Sequence, residues 1–373
     1  MEQRQRPLED VAGLERIAAA LRGKRALVTG HTGFKGGWLC QWLADLGADV
    51  TGYALPPETE PDLFSAIRLG EVVRSVHGDI RERARLDTVL RESRPEMVFH
   101  LAAQPLVRRS YRQPLETFAV NVMGTVQLLD AVRARGERCA VVVVTSDKCY
   151  QNDGSGTPHK ETDALGGKDP YSASKAAAEL VVGAYRSSFF PPSKLAEHGI
   201  ALASVRAGNV IGGGDWGEDR LIPDGARAFG RGEPLRVRNP RMTRPFQHVI
   251  EPLAGYLLLA ERLLGPDAPA ACRAFNLGPA GATSVRTLVT EFAAAWGGGV
   301  RWEEIPDPEA PAEAPALALD PSDAGQVLGW RPRWTSSDAA RRSAIWYRAH
   351  AEGAAPPTLR DLFRRDVADW FST

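Results

Sequence analysis

Short apolar runs separated by amphipathic stretches organise the first half of the chain. RALVT at 25–29 is followed by a segment in which Trp38, Leu39, Trp42, Leu43 and Leu46 share one helical face, with Gly47 placed to cap its end. Further strands are expected at 49–54, 73–77, 97–101 and 140–145, the last almost entirely valine and so suited to burial on both faces. Helical periodicity fills 83–93 and 114–135. A further helix from Tyr171 to about Phe190 stops before Pro191 and Pro192, which cannot continue it. Strand and helix in regular alternation predict βαβ units and a parallel sheet.

Beyond Ala207 the texture changes to glycine- and proline-rich loops with shorter elements. The expected organisation is a nucleotide-binding domain over 1–206, with a return segment at about 243–263. A smaller C-terminal α/β lobe takes 207–242 and 264–373 and binds substrate. A Pro/Ala-rich stretch at 306–315 is expected to be a mobile loop. The first residues, MEQRQRPLEDVAGLERIAAALRG, predict a leading helix; charges interrupt every apolar stretch, which argues against a signal peptide or membrane span.

Composition narrows the function classes. Hydrophobic residues at 43% and charged residues at 25% are those of a globular chain, and 373 residues make two lobes the default. Formal net charge is zero with no long basic block, so neither a nucleic acid nor a membrane surface is an expected partner. Cys40, Cys139, Cys149 and Cys272 are far apart, with no zinc-finger spacing, so neither a disulfide framework nor a metal site is expected, and a cytoplasmic setting fits.

The chemistry begins at TGHTGFKG, residues 29–36, where Gly30, Gly33 and Gly36 lie between a strand and a helix. Gly30 permits a tight turn, Gly33 a close approach to a pyrophosphate, and Gly36 close helix packing, while the helix N-terminus offers amide donors. This context predicts a doubly wound Rossmann sheet holding a dinucleotide, contacted by Gly30, Thr32, Gly33, Phe34, Lys35 and Gly36. The second strand runs into VTGYALPP, with neither the acid that binds a ribose 2′-hydroxyl nor an arginine for a 2′-phosphate, so NAD and NADP both stay open. Asp79 and Ile80 are candidate adenine contacts. Leu101, Ala102, Ala103 and Gln104, at the end of the fourth strand, let backbone approach the cofactor.

Tyr171 and Lys175, in YSASK, lie four apart on a helix and share a face. An ammonium beside a phenol favours the phenolate, giving a base that takes a hydroxyl proton as hydride leaves the same carbon. Tyr-x-x-x-Lys alone is weak. Its weight comes from following the glycine loop and the VVVVTSDKCY strand.

With TGHTGFKG, GDI, HLAAQPLV, NVMGT, TSDKCY, DPYSASK, VRAGNVIGGGDW and TRPFQHV, the chain resembles the extended short-chain dehydrogenase/reductases from about Lys24 to Leu264, and within them the nucleotide-sugar 4,6-dehydratases. HTGFKG, TSDKCY and RAGNVIGGGDW look most like the CDP-glucose type. Where dTDP-glucose dehydratases carry Thr-Asp-Glu, this chain has Ser146-Asp147-Lys148, in agreement with that type.

The resemblance implies oxidation at C4, loss of water across C5 and C6, and return of the hydride to C6, so that NAD is regenerated in each turnover. It assigns Tyr171, activated by Lys175 and hydrogen-bonded near Ser146, to the C4 hydroxyl, Lys148 to the C5 proton and Asp147 to the departing C6 hydroxyl. Lys148 serves as a base only if its neutral form is accessible; burial and nearby cations would lower its pKa and Asp147 would raise it. Asn121, Asn209, Arg220, Arg244 and His248 are candidates for holding the sugar nucleotide, with Asn121 also supporting the active-site helix. Apolar surfaces on the 114–135 and 171–190 helices imply a homodimer, or a tetramer built on it. The competing expectations are another dehydratase or a 4-epimerase of the same family. A non-catalytic dinucleotide sensor is disfavoured because Tyr171 and Lys175 are both retained.

Overall fold

The protein is described by a computed structural model covering residues 7–152, 154–279, 281–305 and 317–372. The expected loop at 306–315 lies outside these residues, as do residues 1–6 of the leading segment.

Seven strands form one sheet: β1 (Arg25–Thr29), β2 (Asp49–Ala54), β3 (Arg74–His77), β4 (Met97–His100), β5 (Cys139–Val144), β6 (Ile200–Arg206) and β7 (Ala274–Asn276). Their order is β7-β6-β5-β4-β1-β2-β3, and every pairing is parallel. The order reverses between β1 and β4, so a crevice opens beyond their carboxyl ends.

Alternate residues of each strand feed two apolar layers. Val28, Phe99, Val142, Val144, Ala203 and Val205 face one core, shared with α2 (Phe34–Asp45), α6 (Ile250–Leu264) and the C-terminal helices α7 (Ser336–Ala351) and α8 (Pro356–Ser372). Leu27, Val98, Val141, Val143 and Leu202 face the other, beneath α3 (Arg83–Ser93), α4 (Gly124–Arg135) and α5 (Pro170–Ser188). The valine run of β5 is buried throughout, as its composition requires. The leading helix, α1 (Pro7–Leu21), joins the first core through Ile17 and Leu21.

Three local features differ from the expectation. Helix α2 starts four residues before its apolar periodicity, directly at the glycine loop, because Lys35, Gly36 and Gly37 carry no apolar signal. The 114–135 helix contains a π-helical turn, Ala119–Met123, which turns Asn121 inward. The boundary at 264 is also corrected: β7 is the outer strand of the main sheet, too short to show a period. Helix α8 lies on α2, with Phe363 stacked on Trp38 (ring centroids 4.2 Å apart) and Phe371 edge-on to Trp42.

Outside the main sheet, short strands of the described residues pair in twos. Leu235–Val237 pairs with Trp302–Glu304, Thr243–Arg244 with Thr283–Ser284, and Val210–Ile211 with Gln247–His248. Among the described residues the four cysteines are free and buried, and no helix is long and apolar enough to cross a membrane.

Candidate active site

The glycine loop closes the gap between β1 and β4. Gly30 has φ +79°, and a Cβ there would lie 2.8 Å from the Ala102 amide nitrogen, so the strand ends abut with no room for a side chain. A Cβ on Gly36 would overlap the Gly30 carbonyl oxygen. Gly33 is exposed at the start of α2, whose first turn has no side-chain cap and so keeps its amides for a ligand. These residues fit the diphosphate of a dinucleotide. Gly36→Val is expected to abolish dinucleotide binding, as followed by fluorescence quenching, and wild-type affinity in that variant would refute this reading of the loop.

Around the loop, Thr32 Oγ1 donates to Leu55 O (2.9 Å), Phe34 packs into the core, and Thr29 Oγ1 accepts from Ala102 N. Leu101 and Ala103 are half-buried beside it. Two expected cofactor side chains are engaged elsewhere. Gln104 is buried, its side chain bonded to Thr117 Oγ1 and Leu106 N and its backbone to Asn121, and Ile80 is buried against Gly124, which leaves only the Ile80 backbone for a ligand. The Asp79 carboxylate is gripped by Arg81, which holds it below the usual carboxylate range.

The catalytic side is built by α5 and the end of β5. Asp169 caps α5 through Ser172 N (3.0 Å), and Pro170 fits the first helical position, so Tyr171 and Lys175 emerge one turn apart on one face. At the end of β5, the Ser146 hydroxyl donates to Asp147 Oδ1 (2.9 Å), and both residues act on the Tyr171 phenol. Asp147 is buried, and its carboxylate occupies the space that a Cβ at Gly208 would need. The structure therefore brings Ser146, Asp147, Tyr171 and Lys175 together. Lys148, next in sequence, is exposed.

In the ligand-free site, burial pushes the Tyr171 phenol up to about 12, with Asp147 adding to the rise; Ser146 and Arg220 oppose it. Lys175 is itself drawn down to about 7, first by burial and then by Lys35, against the pull of Glu179. Lys35, half-buried on the glycine loop, falls to about 8 through burial and Arg220, with Asp147 and Asp215 opposing.

A pH dependence follows. Below their ordinary 10.5 and above these values, both lysines carry fewer protons folded than unfolded, so stability of the ligand-free protein rises as pH climbs through that window. Lys35→Met is expected to raise the melting temperature at neutral pH and flatten the climb between about pH 8 and 10.5. A steeper climb in the variant would contradict this.

Of the expected sugar-nucleotide residues, Arg220 is the best placed. Its Nη1 donates to the buried Asp215 carboxylate (2.6 Å), which also accepts Gly217 N, and its charge acts on both Tyr171 and Lys35. Asn209 takes the left-handed conformation (φ +49°) just after Gly208, and Arg244 lies half-buried on its short strand. Two assignments are corrected. His248 is buried against Trp334 and Arg342, its pKa lowered by burial, and packs under α7. Asn121 is buried, spending its side chain on Gln104 N, Gln104 O and Ser174 Oγ (2.9 Å); it braces α5 and has no group left for substrate. Sequence reasoning missed Asp215, although it stands in the VRAGNVIGGGDW motif just before Arg220, and a buried network around Glu179 and Arg206.

A family model described as GDP-mannose 4,6 dehydratase matches residues 27–262. The CDP-glucose 4,6-dehydratase of Salmonella typhimurium (strain LT2) is 47% identical over 353 residues, which cover 94% of this chain and 97% of that protein. A UDP-glucose 4-epimerase of Mycolicibacterium smegmatis is 30% identical over 333 residues, 87% of this chain and 98% of that protein. The solved structure of the Thermus thermophilus UDP-glucose 4-epimerase in complex with NAD matches with a TM-score of 0.72 at 26% identity, over 89% of this chain and 100% of that one. Likeness of this extent agrees with the sheet order, the glycine loop and the residues at the end of β5: the chain belongs to the nucleotide-sugar 4,6-dehydratase family of the extended short-chain dehydrogenase/reductases.

Proposed function

We propose that this chain converts CDP-glucose to CDP-4-keto-6-deoxyglucose. The observation that carries the reading is the convergence of Tyr171 and Asp147 on Ser146, whose hydroxyl donates to the Asp147 carboxylate while Ser146 and Asp147 both act on the Tyr171 phenol. A base for alcohol oxidation and an acid for expelling water stand side by side, and a 4-epimerase needs only the first. The 47% identical relative supplies the nucleotide and the hexose.

A bound nicotinamide dinucleotide, proposed to be NAD, supplies the acceptor and later the donor of hydride. The Gly30–Gly36 loop would hold its diphosphate. Tyr171 takes the C4 hydroxyl proton, and the resulting ketone acidifies the proton at C5. Lys148 removes that proton and Asp147 protonates the departing C6 hydroxyl, so water leaves across C5 and C6. Lys148 is exposed beside the buried Asp147, open to an approaching sugar. Arg220 and Arg244 would face the diphosphate of the substrate, with Asn209 beside them.

The test is turnover of a panel of sugar nucleotides. A 4-keto product is expected from CDP-glucose in preference to dTDP-glucose, UDP-glucose and GDP-mannose. Turnover of one of these others with none of CDP-glucose would overturn the assignment.

A cytoplasmic homodimer completes the proposal. Leu115 (87% exposed), Phe118 and Met123 on one side and Leu180 and Phe189 on the other leave apolar side chains in solvent along the helices named for pairing. Light scattering is expected to give twice the chain mass, and Leu180→Lys to shift it toward the monomer. A wild-type monomer would contradict the pairing.

A further inference from the structure

The proposed reaction uses two separately supported parts of the chain. Tyr171 and Lys175 ride on α5, whereas Asp147 and Lys148 sit on a single turn, Asp147–Cys149, that leaves β5. Elimination requires the second part to be held in register with the first. Ser146 joins them on the cleft side.

Behind the cleft lies a second, wholly buried connection. Glu179, one helical turn after Lys175, accepts from Thr145 Oγ1 (2.5 Å) at the end of β5, from Ser204 Oγ (2.9 Å) and from Arg206 Nη2 (2.8 Å) on β6. The other arm of the same guanidinium, Nη1, donates to the hydroxyl of Tyr150 (2.6 Å), the residue that closes the Asp147–Cys149 turn. That hydroxyl donates in turn to Asn276 Oδ1 (2.7 Å) on β7. The Tyr150 ring is clasped between the Arg206 guanidinium, 4.9 Å from its centroid, and the His159 ring, stacked at 4.7 Å.

Packing alone does not call for this hydroxyl. Phenylalanine would fill the same volume, and a buried hydroxyl is tolerated only where its hydrogen bonds are made. None of the assigned chemistry uses Tyr150, Arg206 or Glu179. Their common property is geometric, since one guanidinium ties α5 to the far end of the turn that bears Asp147 and Lys148.

We infer that Arg206 and the Tyr150 hydroxyl are positioning groups for the elimination half of the reaction, fixing the Asp147–Lys148 turn against the helix that carries Tyr171. The inference rests on the dehydratase reading above. It separates the half-reactions: oxidation at C4 depends on α5, and loss of water depends on the turn.

Tyr150→Phe in the holoenzyme tests it, because the change keeps ring packing and removes only the bridging hydroxyl. With CDP-glucose, kcat is expected to fall about tenfold or more with KM changed less than about twofold, as for a small misplacement of reacting groups. Adding substrate is also expected to build up the near-ultraviolet absorbance of reduced nicotinamide, because oxidation outruns elimination, while the wild type shows little. Dinucleotide affinity should be unchanged. Wild-type kcat in the variant, or a lower kcat with no such build-up, would overturn the inference; the latter marks a merely structural hydroxyl. Failure of the wild type to make a 4-keto product would sink the reading beneath it, whereas a working wild type with an unaffected Tyr150→Phe sinks the inference alone.

Discussion

Tyr171→Phe is expected to lower kcat by about a thousandfold, near the upper part of the range for loss of a positioned general base, with fold and dinucleotide binding retained. The ring is buried against the end of β5, so phenylalanine keeps its packing and removes only the hydroxyl on which Ser146 acts. In the ligand-free protein this phenol is pushed up to about 12, which makes it a poor base at neutral pH. Its activation must come from positive charge gathered around it, with Arg220 already acting in that direction and a bound oxidised nicotinamide adding to it. No reduced nicotinamide should form when Tyr171→Phe meets substrate, because the block precedes hydride transfer. Unimpaired activity in that variant would remove the oxidative step from the account and revive a non-catalytic or differently catalysed role.

Asp147→Asn should give the opposite signature. Asparagine fits the space beside Gly208 and still accepts from Ser146, but it has no proton to give to the departing hydroxyl. A fall in kcat of about a hundredfold or more is expected. C4 oxidation rests on Tyr171, which the substitution leaves in place, so it should proceed about as readily as before. Substrate would then be held at the oxidised stage, and rapid mixing should show reduced nicotinamide rising and decaying slowly. A variant that loses oxidation and elimination together would mean that Asp147 serves the site as a whole and not the expulsion of water.

Much of this was legible in the chain. The five strands read from periodicity lie within a residue of their observed ends, because an apolar run flanked by polar residues has few other places to go. Gly30 and Gly36 were readable because their spacing reflects backbone contacts within one loop, and Tyr171 with Lys175 because both lie on one helical turn. Strand β7 was not readable, as three residues carry no period. Nor were the bonds from Glu179 to Arg206 or from Tyr150 to Asn276, which join segments far apart in sequence and leave no spacing to notice. His248 and Asn121 show the converse failure. Both stand in motifs that suggested ligand contact, and both proved to be spent on packing or on bracing the site. Nor was the charge state of Lys175 readable, since it depends on burial beside Lys35, a residue far away in sequence.

The central claim is that hydride taken from C4 returns to C6 of the same sugar as water is lost. CDP-glucose carrying deuterium at C4 tests it most directly, with the product followed by mass spectrometry and NMR. The account predicts a product lighter by one water, with a 4-keto group and the deuterium at C6. A product of unchanged mass with deuterium still at C4 would mark an epimerase, and either that outcome or deuterium released to added nicotinamide would contradict the account.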